Sequence, residues 1–238
     1  MKFLLKKELS FYLNNPIGYI VVLLFSIFAN FLFVKDIFVT GSASMRPFFE
    51  LLPWLLLIFI PALTMRMISE ERRTNTLEVL LTLPISELNI VISKYLSALI
   101  ICIIALLLTT ALPMSMYFLT GDVGGKLYLP EIIVSYLGSI AVASSFISIS
   151  LFFSALTKNQ IIAFLTSVVV IFFLVIFSTD FAGNVLPTFL QTALNYLSPV
   201  TQFASFIRGV IDVRSVFYFL SFTAVFLILT IIDLERRA

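Results

Sequence analysis

The chain has 238 residues, 61% hydrophobic and only 12% charged, against about 25% charged in an ordinary soluble domain. No soluble fold of this length hides so much apolar surface, so the surrounding solvent is lipid. The net charge of +2 is too small to imply nucleic acid, and the lack of histidine removes imidazole bases and histidine ligands for metal or haem.

The start, Met1-Lys2-Phe3-Leu4-Leu5-Lys6-Lys7, faintly resembles a signal peptide. Glu8 and Asn14-Asn15-Pro16 interrupt any apolar core and no small-x-small cleavage site follows, so an uncleaved segment is expected. Leu5, Leu9, Tyr12 and Leu13 share a helix face, with Lys2, Lys6 and Ser10 elsewhere, which predicts a helix lying in the membrane interface.

Six apolar runs follow, at about 17–34, 48–67, 95–119, 132–156, 161–177 and 216–232. Each approaches the roughly 20 residues that a helix needs to cross a bilayer core. They are continuous rather than alternating, so an all-α protein with six transmembrane helices is expected, not a barrel. Pro61 and Pro113 fall inside runs, where neighbouring helices can satisfy the carbonyls they free. The one cysteine, Cys102, lies in the third run and leaves no intramolecular disulfide or cysteine metal cluster. With an even number of spans, one side holds Lys2, Lys6, Lys7, Arg66, Arg72, Arg73, Lys94, Lys158, Arg236 and Arg237. The other holds Lys35, Arg46, Lys126, Arg208 and Arg214. The positive-inside rule puts both termini, the 68–94 connection and the turn at 157–160 in the cytoplasm. No connection is long enough for a soluble domain, so residues 1–238 read as one transmembrane domain.

Between the second and third runs lies the most polar stretch, from Glu70-Glu71-Arg72-Arg73 to Pro84. Asn75 with Glu78 three residues later has the form of a capping box. Leu77, Leu80 and Leu81 fall on one face, Pro84 stops the helix, and Ser86 with Glu87 can start the next. A helix of about nine residues, about 13 Å long, is predicted. Its charges either anchor a solvated loop or orient a knob whose leucines fill a groove on a cytoplasmic partner. Between the fifth and sixth runs, Leu186, Phe189, Leu190, Ala193, Leu194 and Leu197 have helical spacing. So do Phe203, Phe206, Ile207, Val210 and Ile211, predicting two short helices that dip into the outer leaflet.

There is no G-x-x-x-x-G-K-[ST] phosphate loop, no H-E-x-x-H and no Ser/His pair. The spans hold almost no ionisable residues, which argues against a coupling ion. A passive channel, a secondary carrier or a structural anchor for a cytoplasmic partner stand as alternatives to an energy-coupled permease. Asn30, Thr109, Thr110, Ser144, Ser145 and Ser148 could line a polar passage or make helix–helix contacts, so no substrate residue is assigned.

Glu70-Glu71-Arg72-Arg73-Thr74-Asn75-Thr76-Leu77-Glu78-Val79-Leu80-Leu81-Thr82-Leu83-Pro84 followed by Lys94 resembles the signature of type-2 ABC transporter permeases, which commonly carry Gly where this chain has Asn75. Lys7-Glu8-Leu9 with Asn15-Pro16-Ile17-Gly18-Tyr19, and Leu197-Ser198-Pro199 through Arg208-Gly209-Val210-Ile211-Asp212, narrow the resemblance to the gliding-motility permease subunit and its relatives. The resemblance implies a dimer, homo- or heteromeric, of six-span permease chains in the plasma membrane, with cytoplasmic ABC ATPase subunits that carry ATP and Mg. It implies no cofactor on this chain, which is then a transport subunit and not an enzyme, and an exporter rather than an importer. The helix near 76–83 would be the coupling helix. Glu70, Glu71, Arg72, Arg73, Thr76, Leu77, Glu78, Leu80 and Leu81 would contact the ATPase, with Lys158 in a second contact. The N-terminal helix would be the connecting helix and the two helices before the last span a re-entrant extracytoplasmic pair.

Overall fold

A computed structural model of the chain describes residues 2–40, 44–82, 85–111, 113–115, 128–176 and 196–236, apart from the side chains of residues 17, 36–40, 79 and 81. The described residues are helical, without a strand: α1 Lys2–Asn14, α2 Pro16–Thr40, α3 Arg46–Thr64, α4 Ser69–Arg73, α5 Thr76–Leu81, α6 Glu87–Leu108, α7 Leu129–Leu156, α8 Gln160–Ile176, α9 Pro199–Ile207 and α10 Val213–Glu235. Five stretches are long and apolar enough to cross a membrane: Gly18–Lys35, Arg46–Arg73, Glu87–Ser115, Leu129–Leu156 and Val213–Glu235. The remaining expected span, the fifth in chain order, is α8, which is apolar but has 17 described residues. At 1.5 Å per residue that is about 25 Å, short of a core of about 30 Å. The third span begins earlier than its apolar run. α6 starts at Glu87 because Ser86, in extended conformation, precedes it, and Lys94 is carried inside the helix.

α7 is the centre of the bundle, with α3, α6, α8, α9 and α10 packed around it. Its serines make this close packing possible. Ser139, Ser145 and Ser148 are fully buried and donate to carbonyls of their own helix, so small side chains meet the neighbours with their polar atoms satisfied. Ser144 bridges Tyr95 of α6 and Thr223 of α10 at 2.5 and 3.1 Å, and Thr109 meets Tyr136 at 3.0 Å. In this structure these groups are contacts between helices. α2 instead turns Ile20, Leu23, Leu24, Ile27, Phe28 and Phe31 outward, at the spacing of a single helix face, as lipid permits.

Gly18 lets α1 fold back on α2, since a Cβ there would stand 2.5 Å from the Tyr12 carbonyl oxygen. α1 therefore packs on α2 and α6. Its buried face is rotated from the predicted one: Glu8 and Tyr12 are buried, Leu5 and Leu9 half-buried, and Leu13 exposed. At the far end of α3, the Arg46 guanidinium meets the Glu131 carboxylate at 2.6 Å and joins the starts of α3 and α7. α9 seats Phe203 and Phe206 against Gly138 of α7. It stops at Arg208 because Gly209 takes φ +77°, so Val210 and Ile211 are exposed and do not continue its apolar face. Of the helix predicted before it, residues 186–195 lie outside the described residues.

Candidate functional site

α3 and α4 are separate helices, and the four-residue break between them frees backbone groups that need partners. Each partner comes from a different element. The Tyr12 hydroxyl of α1 donates to the Leu63 carbonyl at 2.8 Å. The Lys94 ammonium of α6 donates to the Met67 carbonyl at 2.7 Å. Ser154 of α7 donates to the Met65 carbonyl at 3.1 Å, and its oxygen accepts from the amides of Ile68 and Ser69, both at 3.2 Å. Burial, and then the nearby Glu8 carboxylate, push the Tyr12 phenol above its ordinary range, so it stays a donor.

Lys94 is 1% exposed. An ammonium has three protons to donate, and a buried one is tolerated only when they are met. Here Glu8 of α1 stands at 3.0 Å, Glu71 of α4 at 2.9 Å, and Met67 supplies the third acceptor. Lys7 approaches the same carboxylates, at 4.0 Å from Glu8 and 3.6 Å from Glu71, and balances the cluster. Three elements, α1, α4 and α6, thus converge on one buried cation.

The residues singled out in the sequence divide into two groups. Glu71 and Arg72 are built into the protein: Glu71 by Lys94, Arg72 by donating from its guanidinium to the Ala155 carbonyl at the end of α7. Arg73, Thr76 and Glu78 are exposed, with Glu70 half-buried beside Arg73 at 3.9 Å. Thr76 also donates from its hydroxyl to the Glu71 carbonyl at 3.3 Å, which ties α5 to α4. Lys158 is exposed in the turn after α7, whose Asn159 accepts from the amide of Ile161 at 2.9 Å and caps α8.

Two expectations need correction. Leu77 and Leu80 do not face outward; they are 5% and 9% exposed and belong to the hydrophobic core. Burying a leucine contributes about 1.5–3 kcal/mol, so this is where an isolated chain puts them. The side chain of Leu81 lies outside the described residues. The helix is also shorter than nine residues, six in α5, and Asn75 makes no side-chain cap. Asn75 takes φ +57° instead, the one positive φ among described non-glycine residues, and turns the chain between α4 and α5. Asparagine tolerates this left-handed geometry better than most residues, which suits it to this turn.

The buried partners of the polar stretch, Glu8, Lys94 and Ser154, were not assigned a role from the sequence. One signal was present: Lys94 follows Asn89-Ile90-Val91-Ile92-Ser93 in a run with nowhere to solvate it, and such a lysine needs a buried carboxylate. Which carboxylate is a tertiary fact.

The chain matches the family model described as ABC-2 family transporter protein over residues 3–237, and it belongs to that family. It is therefore a multi-pass membrane permease, the transport subunit of an ABC transporter and not itself catalytic. No curated protein matches it.

Proposed function

We propose that this chain is the membrane half of an ATP-driven exporter in the plasma membrane, with both termini cytoplasmic. It pairs with a second permease chain, identical or similar, and with cytoplasmic ATPase subunits that bind ATP and Mg. The narrower resemblance to the gliding-motility permease subunit, the six-span count with α8 as the fifth span, and the re-entrant role of α9 belong to the same reading. So does export rather than import.

In this reading α4 and α5 form the coupling element, and they dock through the exposed face of Arg73, Thr76 and Glu78 rather than through Leu77 and Leu80. Glu70, Glu71 and Arg72 hold that face in place, and Lys158 offers a second contact. The observation that carries this is the convergence on the α3–α4 break: Lys94 links it to α1 and α6, and Ser154 and Arg72 link it to α7. A displacement of α4 reaches three membrane-associated helices through buried polar contacts. Closure of the ATPase pair then shifts the population of the permease between two arrangements.

Glu78→Arg tests this, because it reverses an exposed charge and leaves the buried contacts alone. Membrane insertion stays normal while ATP hydrolysis and transport become uncoupled. Normal transport together with wild-type recovery of the ATPase during purification overturns the docking role. ATPase binding with no transport in the wild-type protein favours a structural anchor instead.

A further inference from the structure

At the end of the bundle where α3 begins, a cavity of about 360 Å³ lies between α3 and α9. That is within the roughly 300–1,000 Å³ of small-molecule sites. The α3 wall carries Arg46, Glu50 and Pro53, at the spacing of one helix face, and the α9 wall carries Phe203, Ala204 and Arg208 among others. Pro53 and Phe203 are buried and give the cavity an apolar floor, while Arg46, Glu50 and Arg208 are exposed at its rim. From Arg46 to Pro53 the α3 wall runs seven residues, about 10 Å.

Glu131 of α7 brings the two arginines to one end of this cavity. Its carboxylate holds the Arg46 guanidinium at 2.6 Å. Its backbone also lies against Gly209, the neighbour of Arg208, where a Cβ would stand 3.3 Å from Cα of Glu131. Both carboxylates of the region act on Arg46: Glu131 by direct contact, and Glu50, one turn along α3, through its field. Arg208 has no ion-pair partner among the described residues. The four charges cancel formally, but they are unevenly matched, and the cation left to meet a ligand is Arg208. One end of the cavity thus offers a guanidinium, and the other the apolar surface of Pro53, Phe203 and Ala204.

We propose that this cavity binds an amphiphilic anion: a carboxylate or phosphate group on a single apolar chain. The anionic group takes the Arg208 guanidinium, whose planar fork suits both carboxylate and phosphate. The chain lies on the floor between α3 and α9, where each methylene removed from water adds to binding. Glu50 stands at the rim and opposes the anion, so it limits how tightly the ligand is held. Placing the cavity on the extracytoplasmic side rests on the orientation proposed above. Binding rests neither on that orientation nor on coupling to an ATPase.

The test is native mass spectrometry of the purified chain after equilibration with octyl phosphate, octanoate, octanol and octyltrimethylammonium, which share one chain length. The two anions are retained about tenfold over the other two, the scale of one charge-assisted hydrogen bond. Arg208→Gln removes that preference, and Glu50→Gln raises retention of both anions. Arg214→Gln, which removes an exposed charge at the start of α10 outside the cavity, leaves the preference intact. Ala204→Phe fills the floor and lowers retention of all four; its melting temperature shows whether the fold survives, and the exposed Arg208→Gln and Glu50→Gln decide the matter if it does not. Inorganic phosphate at the same concentration leaves octyl phosphate bound, because it lacks the chain. Equal retention of the four compounds, a preference unchanged by Arg208→Gln, or one lost equally in Arg214→Gln overturns the proposal. Displacement by inorganic phosphate overturns the amphiphile and leaves a site for the free anion.

Discussion

Replacing Lys94 by methionine keeps an unbranched side chain as far as Cε and removes the ammonium with its charge. The ammonium is 1% exposed and stands between the Glu8 and Glu71 carboxylates, themselves 9% and 19% exposed. Without it two partly buried negative charges face each other across the place it held, Lys7 approaches them only from the exposed side, and the Met67 carbonyl loses its donor. Breaking a buried ion pair from one side costs about 3–5 kcal/mol. For a chain of this size that corresponds to a fall in melting temperature of roughly 6–20 °C. Differential scanning fluorimetry in detergent measures it. Glu8→Gln and Glu71→Gln, added to Lys94→Met, remove the stranded charges and recover most of the loss, because a neutral replacement of a buried ionic cluster costs little. The triple variant still lacks the link from α4 to α1 and α6, so it is stable and poorly coupled. A Lys94→Met protein that melts within about 2 °C of wild type refutes the reasoning, since even the lower bound of the cost exceeds that shift.

Other outcomes follow from single contacts. Gly138→Ala places a Cβ 2.5 Å from Cβ of Phe206 and 2.9 Å from the ring of Phe203, so α9 must shift off α7. The expected cost of such overpacking is about 1–3 kcal/mol, read as a lower melting temperature. Asn75→Gly is tolerated and Asn75→Val destabilises by about 1–2 kcal/mol, because a β-branched residue resists the left-handed turn. Thermal melts of the two variants check the order. Leu80→Asp damages folding rather than docking alone, since Leu80 is core; a lower yield of folded protein by size-exclusion chromatography distinguishes it from Glu78→Arg.

The spans were legible because lipid imposes long apolar helices, and five of them emerge close to their runs. The polar stretch after the second run was legible as an anomaly for the same reason. The direction of its leucines was not. Periodicity says that Leu77 and Leu80 share a face, but not whether that face meets a partner or the protein's own core. The capping pattern at Asn75 and Glu78 misled because the residue that caps a helix and the residue that reverses a chain are drawn from the same small polar set. Glu8, Lys94 and Ser154 were hidden because they lie far from one another in sequence, Glu8 and Lys94 86 positions apart, and only tertiary packing brings each to the α3–α4 break.

Cross-linking to the ATPase tests the central claim most directly. With the buried Cys102 replaced by serine, single cysteines at Thr76, Leu77, Glu78 and Leu80 scan both faces of α5. In the assembled transporter, a short bifunctional reagent joins the Thr76→Cys and Glu78→Cys chains to the ATPase subunit, while Leu77→Cys and Leu80→Cys remain unlinked. Linkage through Leu77→Cys and Leu80→Cys, or through none of the four, contradicts it.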